Sequence, residues 1–314
     1  MILNILLLIV GFVLLIKGAD FFVDGSSSLA KKLKIPSLIV GLTIVAMGTS
    51  APELAVSVSS SISGLNSIAI SNVIGSNIFN LLIVLGVCSA IMPLNVSSDA
   101  VKRDYPISIG AIILFVIFIL NGSLERIESA ILFVCLIAYI ILSIKLAKNN
   151  KTEDEPEVKF SPVKCALFII GGLAGIVLGG DMVVDNAQTI AVAAGMSETL
   201  VGLTICAMGT SLPELVTSIT ASKKGENDMA VGNVIGSNIF NAFGILGISG
   251  LISPITLEAT AANEAVIDGF LLIAASVVAY LFCAKSKKIS RVQGIALVLM
   301  YTAYMIYIIA RNYA

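Results

Sequence analysis

Histidine and tryptophan are both missing from this chain of 314 residues. Without histidine there is no imidazole-based catalytic triad and no His-ligated zinc or iron centre. Charge is scarce as well: Asp, Glu, Lys and Arg make up 12% of the residues, against about 25% in soluble domains. No basic patch with interleaved aromatics points to nucleic acid. The five cysteines (Cys88, Cys135, Cys165, Cys206 and Cys283) stand singly in apolar stretches without Cys-x-x-Cys spacing, which reads as buried free thiols. Nothing in the sequence asks for a cofactor or for an obligatory protein partner.

Apolar surface is abundant. Hydrophobic residues are 57% of the chain and the mean hydropathy is +1.02, so the chain is an integral membrane protein whose partner is the lipid bilayer. A bilayer core of roughly 30 Å takes about 20 apolar residues per helix. Ten such runs occur, at about 2–24, 36–62, 67–91, 105–121, 126–147, 163–190, 197–220, 228–252, 264–284 and 291–310. The apolar start of the first, Met1 to Ile16, continues to Lys17 and Asp20 rather than to a small-residue cleavage site, and reads as a span, not a removed signal peptide. One connection is clearly polar, Asn149 to Ser161 (NNKTEDEPEVKFS). It divides the chain into a first repeat (1–148), a linker (149–161) and a second repeat (162–314).

The halves are duplicates. A constant offset of 161 pairs Asp20 with Asp181, Asp24 with Asp185, Glu53 with Glu214, Gly64 with Gly225, Asn80 with Asn241 and Pro93 with Pro254. With both termini on one side, all of the 19 basic residues except Lys17, Arg126 and Arg311 fall in the loops opposite. The positive-inside rule makes that side cytoplasmic and puts both termini outside a plasma membrane. An odd number of spans per half then inverts one repeat relative to the other. The expected fold is all-α: ten transmembrane helices as two inverted five-helix repeats, with helices 2, 3, 7 and 8 broken. Inverted repeats with interrupted helices are an architecture of secondary transporters, and a soluble enzyme has no need of them.

The chemistry lies in two duplicated segments. AMGTSAPELAVS (Ala46 to Ser57) returns as AMGTSLPELVTS (Ala207 to Ser218). Each places a glutamate at membrane depth, which costs roughly 2.5–3.5 kcal/mol on insertion scales and calls for a partner. Pro52 lacks an N–H and its ring clashes with the carbonyl of Gly48, so the span is expected to break near 46–51. The carbonyl of Ala46 and its neighbours, and that of Ala207, would then lack intrahelical partners. Thr49, Ser50, Thr210 and Ser211 add hydroxyls; Glu53 and Glu214 add carboxylates. An ordinary proline kink would explain one such motif without its acid, but not two intramembrane glutamates in register.

The second pair is SNVIGSNIFN (Ser71 to Asn80) and GNVIGSNIFN (Gly232 to Asn241). Ser76 and Asn80 share a helix face, as do Ser237 and Asn241; Asn77 and Asn238 are expected to point elsewhere. All candidate ligands are oxygens, which suit calcium, sodium or magnesium over soft metals. Many flexible oxygens favour calcium over magnesium, and two carboxylates neutralise one Ca²⁺. Sodium at the same charges would compete with it, a sufficient basis for exchange.

At GTSAPEL, GTSLPEL and the two GSNIFN segments the chain resembles sodium/calcium exchanger-like prokaryotic antiporters of the cation/calcium exchanger superfamily. The resemblance implies an antiporter, not an enzyme. It implies calcium and sodium sites bridged by Glu53 and Glu214, with ligands from Thr49, Ser50, Thr210, Ser211, Ser76, Ser237 and the carbonyls of Ala46 and Ala207. It also implies a role for Asn80 and Asn241, and spans 1 and 6 sliding as a gating bundle. Potassium-dependent relatives carry aspartate where this chain has Asn241, which argues for potassium independence. Three sodium ions against two carboxylates, the family's pattern, would leave one net charge to move. Proton-coupled calcium exchangers, with a GNxxE-type motif, are the alternative.

Overall fold

The computed structural model describes residues 1–149, 160–196 and 207–313. Most of the expected linker, and the first ten residues of the seventh apolar run (197–206), lie outside the described residues.

Among the described residues, seven helices are long and apolar enough to cross a membrane. There are up to eight if the bent pair Ser37–Thr49 and Ala51–Ile62 forms one span. The ten expected runs exceed that number because Tyr105–Ile119, with 15 residues, and Leu212–Lys223, with 12, are too short alone.

Two helices occupy the middle. In Asn66–Ile91 and Asn227–Ile252, 72% and 83% of the most apolar stretch is buried, against 22–33% in the other five. Ile70, Ile74, Ile78, Leu81 and Leu85 lie fully inside. These helices also carry the buried amides of Asn77, Asn80, Asn233, Asn238 and Asn241, polar groups that must face the interior of the bundle rather than lipid.

These two helices were expected to be broken, and they are not. Each runs through and widens into a π-helical turn, at Asn80–Val84 in one and Phe240–Ile245 in the other. The physical reason is in the sequence: SNVIGSNIFN contains no proline, so every backbone N–H remains available to the helix. Single π turns accommodate an extra residue without ending a helix and are frequent at functional sites.

Outside this centre, Ile2–Leu33 packs against Pro162–Ala193. Each has 32 residues, about 48 Å at 1.5 Å per residue, well beyond the bilayer core. Their contact is a seam of glycines. A Cβ on Gly18 would fall 2.7 Å from the carbonyl oxygen of Gly172, and one on Gly172 would fall 2.5 Å from the backbone nitrogen of Phe22. Only hydrogen fits there, and small residues of this kind let membrane helices approach backbone to backbone.

Paired loops close the two ends. Leu94–Asn95 pairs antiparallel with Lys288–Ile289, and Ser123–Leu124 with Ile255–Thr256. Gly64 and Gly225, matched in the sequence offset, hold positive φ of 74° and 81° at corresponding helix–helix turns, a conformation glycine adopts without penalty.

Candidate functional site

Each half contributes one helical hairpin: the bent pair leading into Asn66–Ile91, and Ala207–Gly209 with Leu212–Lys223 leading into Asn227–Ile252. The helical path breaks at Ser50 (φ −84°, ψ 11°) and at Ser211 (φ −94°, ψ 5°). In the first half the two pieces meet at 47°. Pro52 and Pro213 then sit in the first two positions of the next helix, where a missing N–H costs nothing. Glu53 and Glu214 fall in that helix's first turn, and the positive end of the helix dipole favours a carboxylate there.

One expectation is corrected here. The carbonyl of Ala46 is not without an intrahelical partner: it accepts from the Ser50 N–H at 3.0 Å. Proline removes only the bond that residue 52 would have made to Gly48, and the bend falls at Ser50, one residue beyond Thr49. The Thr49 and Ser237 hydroxyls lie 3.3 and 3.5 Å from the same carbonyl oxygen.

Glu53 and Glu214 are fully buried, and the halves exchange hydroxyls to hold them. Ser211 Oγ donates to Glu53 Oε1 at 3.1 Å, and Ser50 Oγ donates to Glu214 Oε1 at 2.7 Å. Ser237 Oγ also reaches Glu214 Oε1, at 3.4 Å. The second oxygen of each glutamate, Oε2, is buried with no hydrogen-bond partner, and so are Ser76 Oγ, Asn80 Oδ1 and Asn241 Oδ1. A buried oxygen left alone costs about 1–3 kcal/mol, more when charged. These five, on the two glutamates, Ser76 and the two asparagines, suit a cation as a shared partner. Among the described residues no three His, Cys, Asp or Glu gather at one place, so a cation here would meet two carboxylates and neutral oxygens.

The expected threonine ligands reach the same glutamates as the serines, Thr49 toward Glu214 and Thr210 toward Glu53, and each also meets an asparagine. Thr49 Oγ1 lies 3.1 Å from Asn233 Oδ1, and Thr210 Oγ1 lies 3.4 Å from Asn72 Oδ1. Neither asparagine was singled out in the sequence. Asn72 Nδ2 donates to the backbone carbonyl of Glu53 at 3.1 Å and to Ser57 Oγ at 2.9 Å. Asn233 repeats this on Glu214, at 3.4 Å, and on Ser218, at 2.9 Å. A signal for them existed: Asn72, Ser76 and Asn80 recur every four residues, as do Asn233, Ser237 and Asn241, tracing one face of each central helix.

Asn77 and Asn238 also differ from expectation. They do not point elsewhere. Asn241 Nδ2 donates to Asn77 Oδ1 at 2.9 Å, and Asn80 Nδ2 donates to Asn238 Oδ1 at 3.2 Å. Residues three apart are neighbours on a helix surface, so Asn77 flanks the Asn80 face and meets the other half. The result is chemically useful. The amide nitrogens of Asn80 and Asn241 are tied down, which leaves their oxygens as the free ends. Ala207 begins the short turn Ala207–Gly209 that precedes Ser211.

A cavity of about 610 Å³ leads to these hairpins, lined in part by Pro52, Asn72, Thr210, Pro213, Asp181 and Asp185. Buried carboxylates and hydroxyls on interrupted helices inside a membrane protein are the arrangement of a class, the secondary transporters.

The chain belongs to the sodium/calcium exchanger protein family, which it matches over residues 3–145 and 164–310. It is similar to the putative antiporter CaxA of Alkalimonas amylolytica, with 38% identity over 94% of this chain and 95% of that protein. The sodium/calcium exchanger MaX1 of Methanosarcina acetivorans is 32% identical, over 96% and 97%. In three dimensions the chain resembles the sodium-calcium exchanger NCX_Mj, solved after soaking with Na⁺ and Sr²⁺. The TM-score is 0.84 and the identity 33%, covering 96% of this chain and 97% of that one.

Proposed function

We propose that this protein is a secondary active antiporter that exchanges Na⁺ for Ca²⁺ across the plasma membrane by alternating access, independent of K⁺ and with net movement of charge. The observation that carries this reading is the reciprocal exchange of hydroxyls, Ser50 to Glu214 and Ser211 to Glu53. It ties each carboxylate to a serine of the other half and leaves each with an oxygen to spare. Two such charges neutralise one Ca²⁺, and Na⁺ ions compete for the same oxygens. The ligands we assign are Glu53, Glu214, Ser50, Ser211, Ser76, Ser237, Asn80 and Asn241, with Thr49, Thr210 and the Ala46 and Ala207 carbonyls adjoining. The architecture that goes with this is ten spans as two inverted repeats of five, termini outside and the linker 149–161 cytoplasmic. The two loop pairings fit it, since the loop after one central helix and the loop after the other each close onto a later or earlier hairpin of the opposite half.

Proton coupling is the second reading. Among the described residues no Lys or Arg side chain lies in ion-pair contact with Glu53 or Glu214, so a proton is the simplest neutraliser once the cation leaves. Proteoliposomes in which Na⁺, H⁺ and K⁺ gradients are imposed separately distinguish the two. Ca²⁺ flux driven by Na⁺ alone, changed by membrane potential and indifferent to K⁺, is the expected result. Flux that follows pH and ignores Na⁺ would replace it with the proton reading.

A further inference from the structure

The duplicated halves differ in the turn between their hairpin helices. Lys224 and Glu226 of the second half correspond, by the offset of 161, to Ser63 and Leu65 of the first. Lys224 reaches across to Ile2–Leu33. Its ammonium lies 2.9 Å from Asp24 Oδ1 and 3.4 Å from Asp20 Oδ1, and it donates to the Asp20 carbonyl at 2.9 Å. Two residues on, Glu226 accepts from Ser27 Oγ and, at 2.9 Å, from Ser37 Oγ. One short turn therefore fastens both the first helix and the start of the second.

The opposite end has the same acids without the clasp. Asp181 and Asp185, the counterparts of Asp20 and Asp24, line the 610 Å³ cavity together with Gln188, the counterpart of Ser27. Among the described residues neither is in an ion pair. Ile68, also in that lining, is 48% exposed, whereas its counterpart Met229, next to the clasp, is 0% exposed. Equivalent positions thus differ in exposure: Gly41 packs on Met229, while position 202, which corresponds to Gly41, lies outside the described residues. The turns themselves differ in sequence, a lysine and a glutamate against a serine and a leucine.

We propose that Lys224 and Glu226 form a polar latch that holds the cytoplasmic end of the transporter shut, so that the resting protein opens to the outside. The latch rests on the alternating-access reading above, since it biases one of two access states. A contact of this kind shifts a population only by its differential strength in the two states, and a partly exposed ion pair is modest in strength.

The test uses single cysteine reporters, Ile68→Cys and Met229→Cys, in the full chain in membranes, with labelling of the parent chain by a small maleimide subtracted. In Lys224→Gln, the rate at Met229→Cys should rise roughly three- to tenfold and the rate at Ile68→Cys should fall. Glu226→Gln should do the same more weakly. Reversing the pair, Lys224→Asp with Asp24→Lys, should return both rates toward those of the parent, whereas Lys224→Asp alone should not. Unchanged rates at both reporters in Lys224→Gln would overturn the latch, as would a charge-reversed pair no better than Lys224→Asp. Ca²⁺ uptake by the parent chain is measured alongside. Its absence would count against the transport reading, while parent uptake with unmoved reporters counts against the latch alone.

Discussion

The two halves of this molecule agree at the centre and disagree at the rim. At the centre they match nearly atom for atom in role. Ser50 serves Glu214 as Ser211 serves Glu53, and Asn233 braces Glu214 as Asn72 braces Glu53. At the rim, Lys224 and Glu226 tie one hairpin turn to the first helix, while Ser63 and Leu65 stand exposed at the other. A site that must hold one ion between two repeats benefits from symmetry, because both carboxylates face the same charge. A transporter that must open one end at a time needs the ends to differ in energy. The comparison teaches that the repeats agree where the two glutamates meet and differ in the turns at the rim.

The strongest way to break this comparison is to make the centre unequal. Glu53→Gln and Glu214→Gln each keep the side chain's shape and remove one charge. Losing one member of a buried charged set costs roughly 3–5 kcal/mol, so each should cut Ca²⁺ uptake into proteoliposomes by a factor of at least about a hundred, with protein still present in the membrane. Transport that survives in either variant would show that the halves do not share the ion.

A smaller effect sharpens it. Ser50 sits closer to its carboxylate than Ser211 does, 2.7 Å against 3.1 Å. A hydrogen bond to a charged group contributes about 1.5–3 kcal/mol, so Ser50→Ala should weaken half-saturation by Ca²⁺ roughly tenfold or more, and Ser211→Ala by less. Equal losses would mean that the difference in distance has no energetic weight.

The smallest effect probes the rim. Placing the missing pair in the first half, Ser63→Lys with Leu65→Glu, gives the outer end a matching clasp near Asp181 and Asp185. Exchange should slow by roughly twofold, with a lower rate of outside labelling at Ile68→Cys, as expected of a partly exposed ion pair. A faster outside rate would contradict the assignment of these acids to the clasp position.

Much of the centre was legible in the sequence because it is written twice. A glutamate after Gly-Thr-Ser and proline at membrane depth is costly, and a cost incurred in duplicate points to a shared site. The break at Ser50 and the burial of both acids follow from that pattern. What was not legible depends on which helices meet. Asn77 and Asn238 lie one helix neighbour away from the expected face, and only the packing of one central helix on the other decides that they pair across halves. The π turns within the central helices likewise have no proline to announce them. The Lys224 clasp joins residues 204 and 200 positions apart, so no local pattern contains it.

The claim beneath all of this is that two glutamates, one from each repeat, grip a single divalent cation together. Calorimetric titration of the purified protein with Ca²⁺ in Na⁺-free buffer tests it directly, using the parent chain, Glu53→Gln, Glu214→Gln and the double variant. The account predicts one Ca²⁺ per chain in the parent and no resolvable binding heat in any of the three variants. One Ca²⁺ per chain still bound by a single variant at near-parental affinity would contradict it.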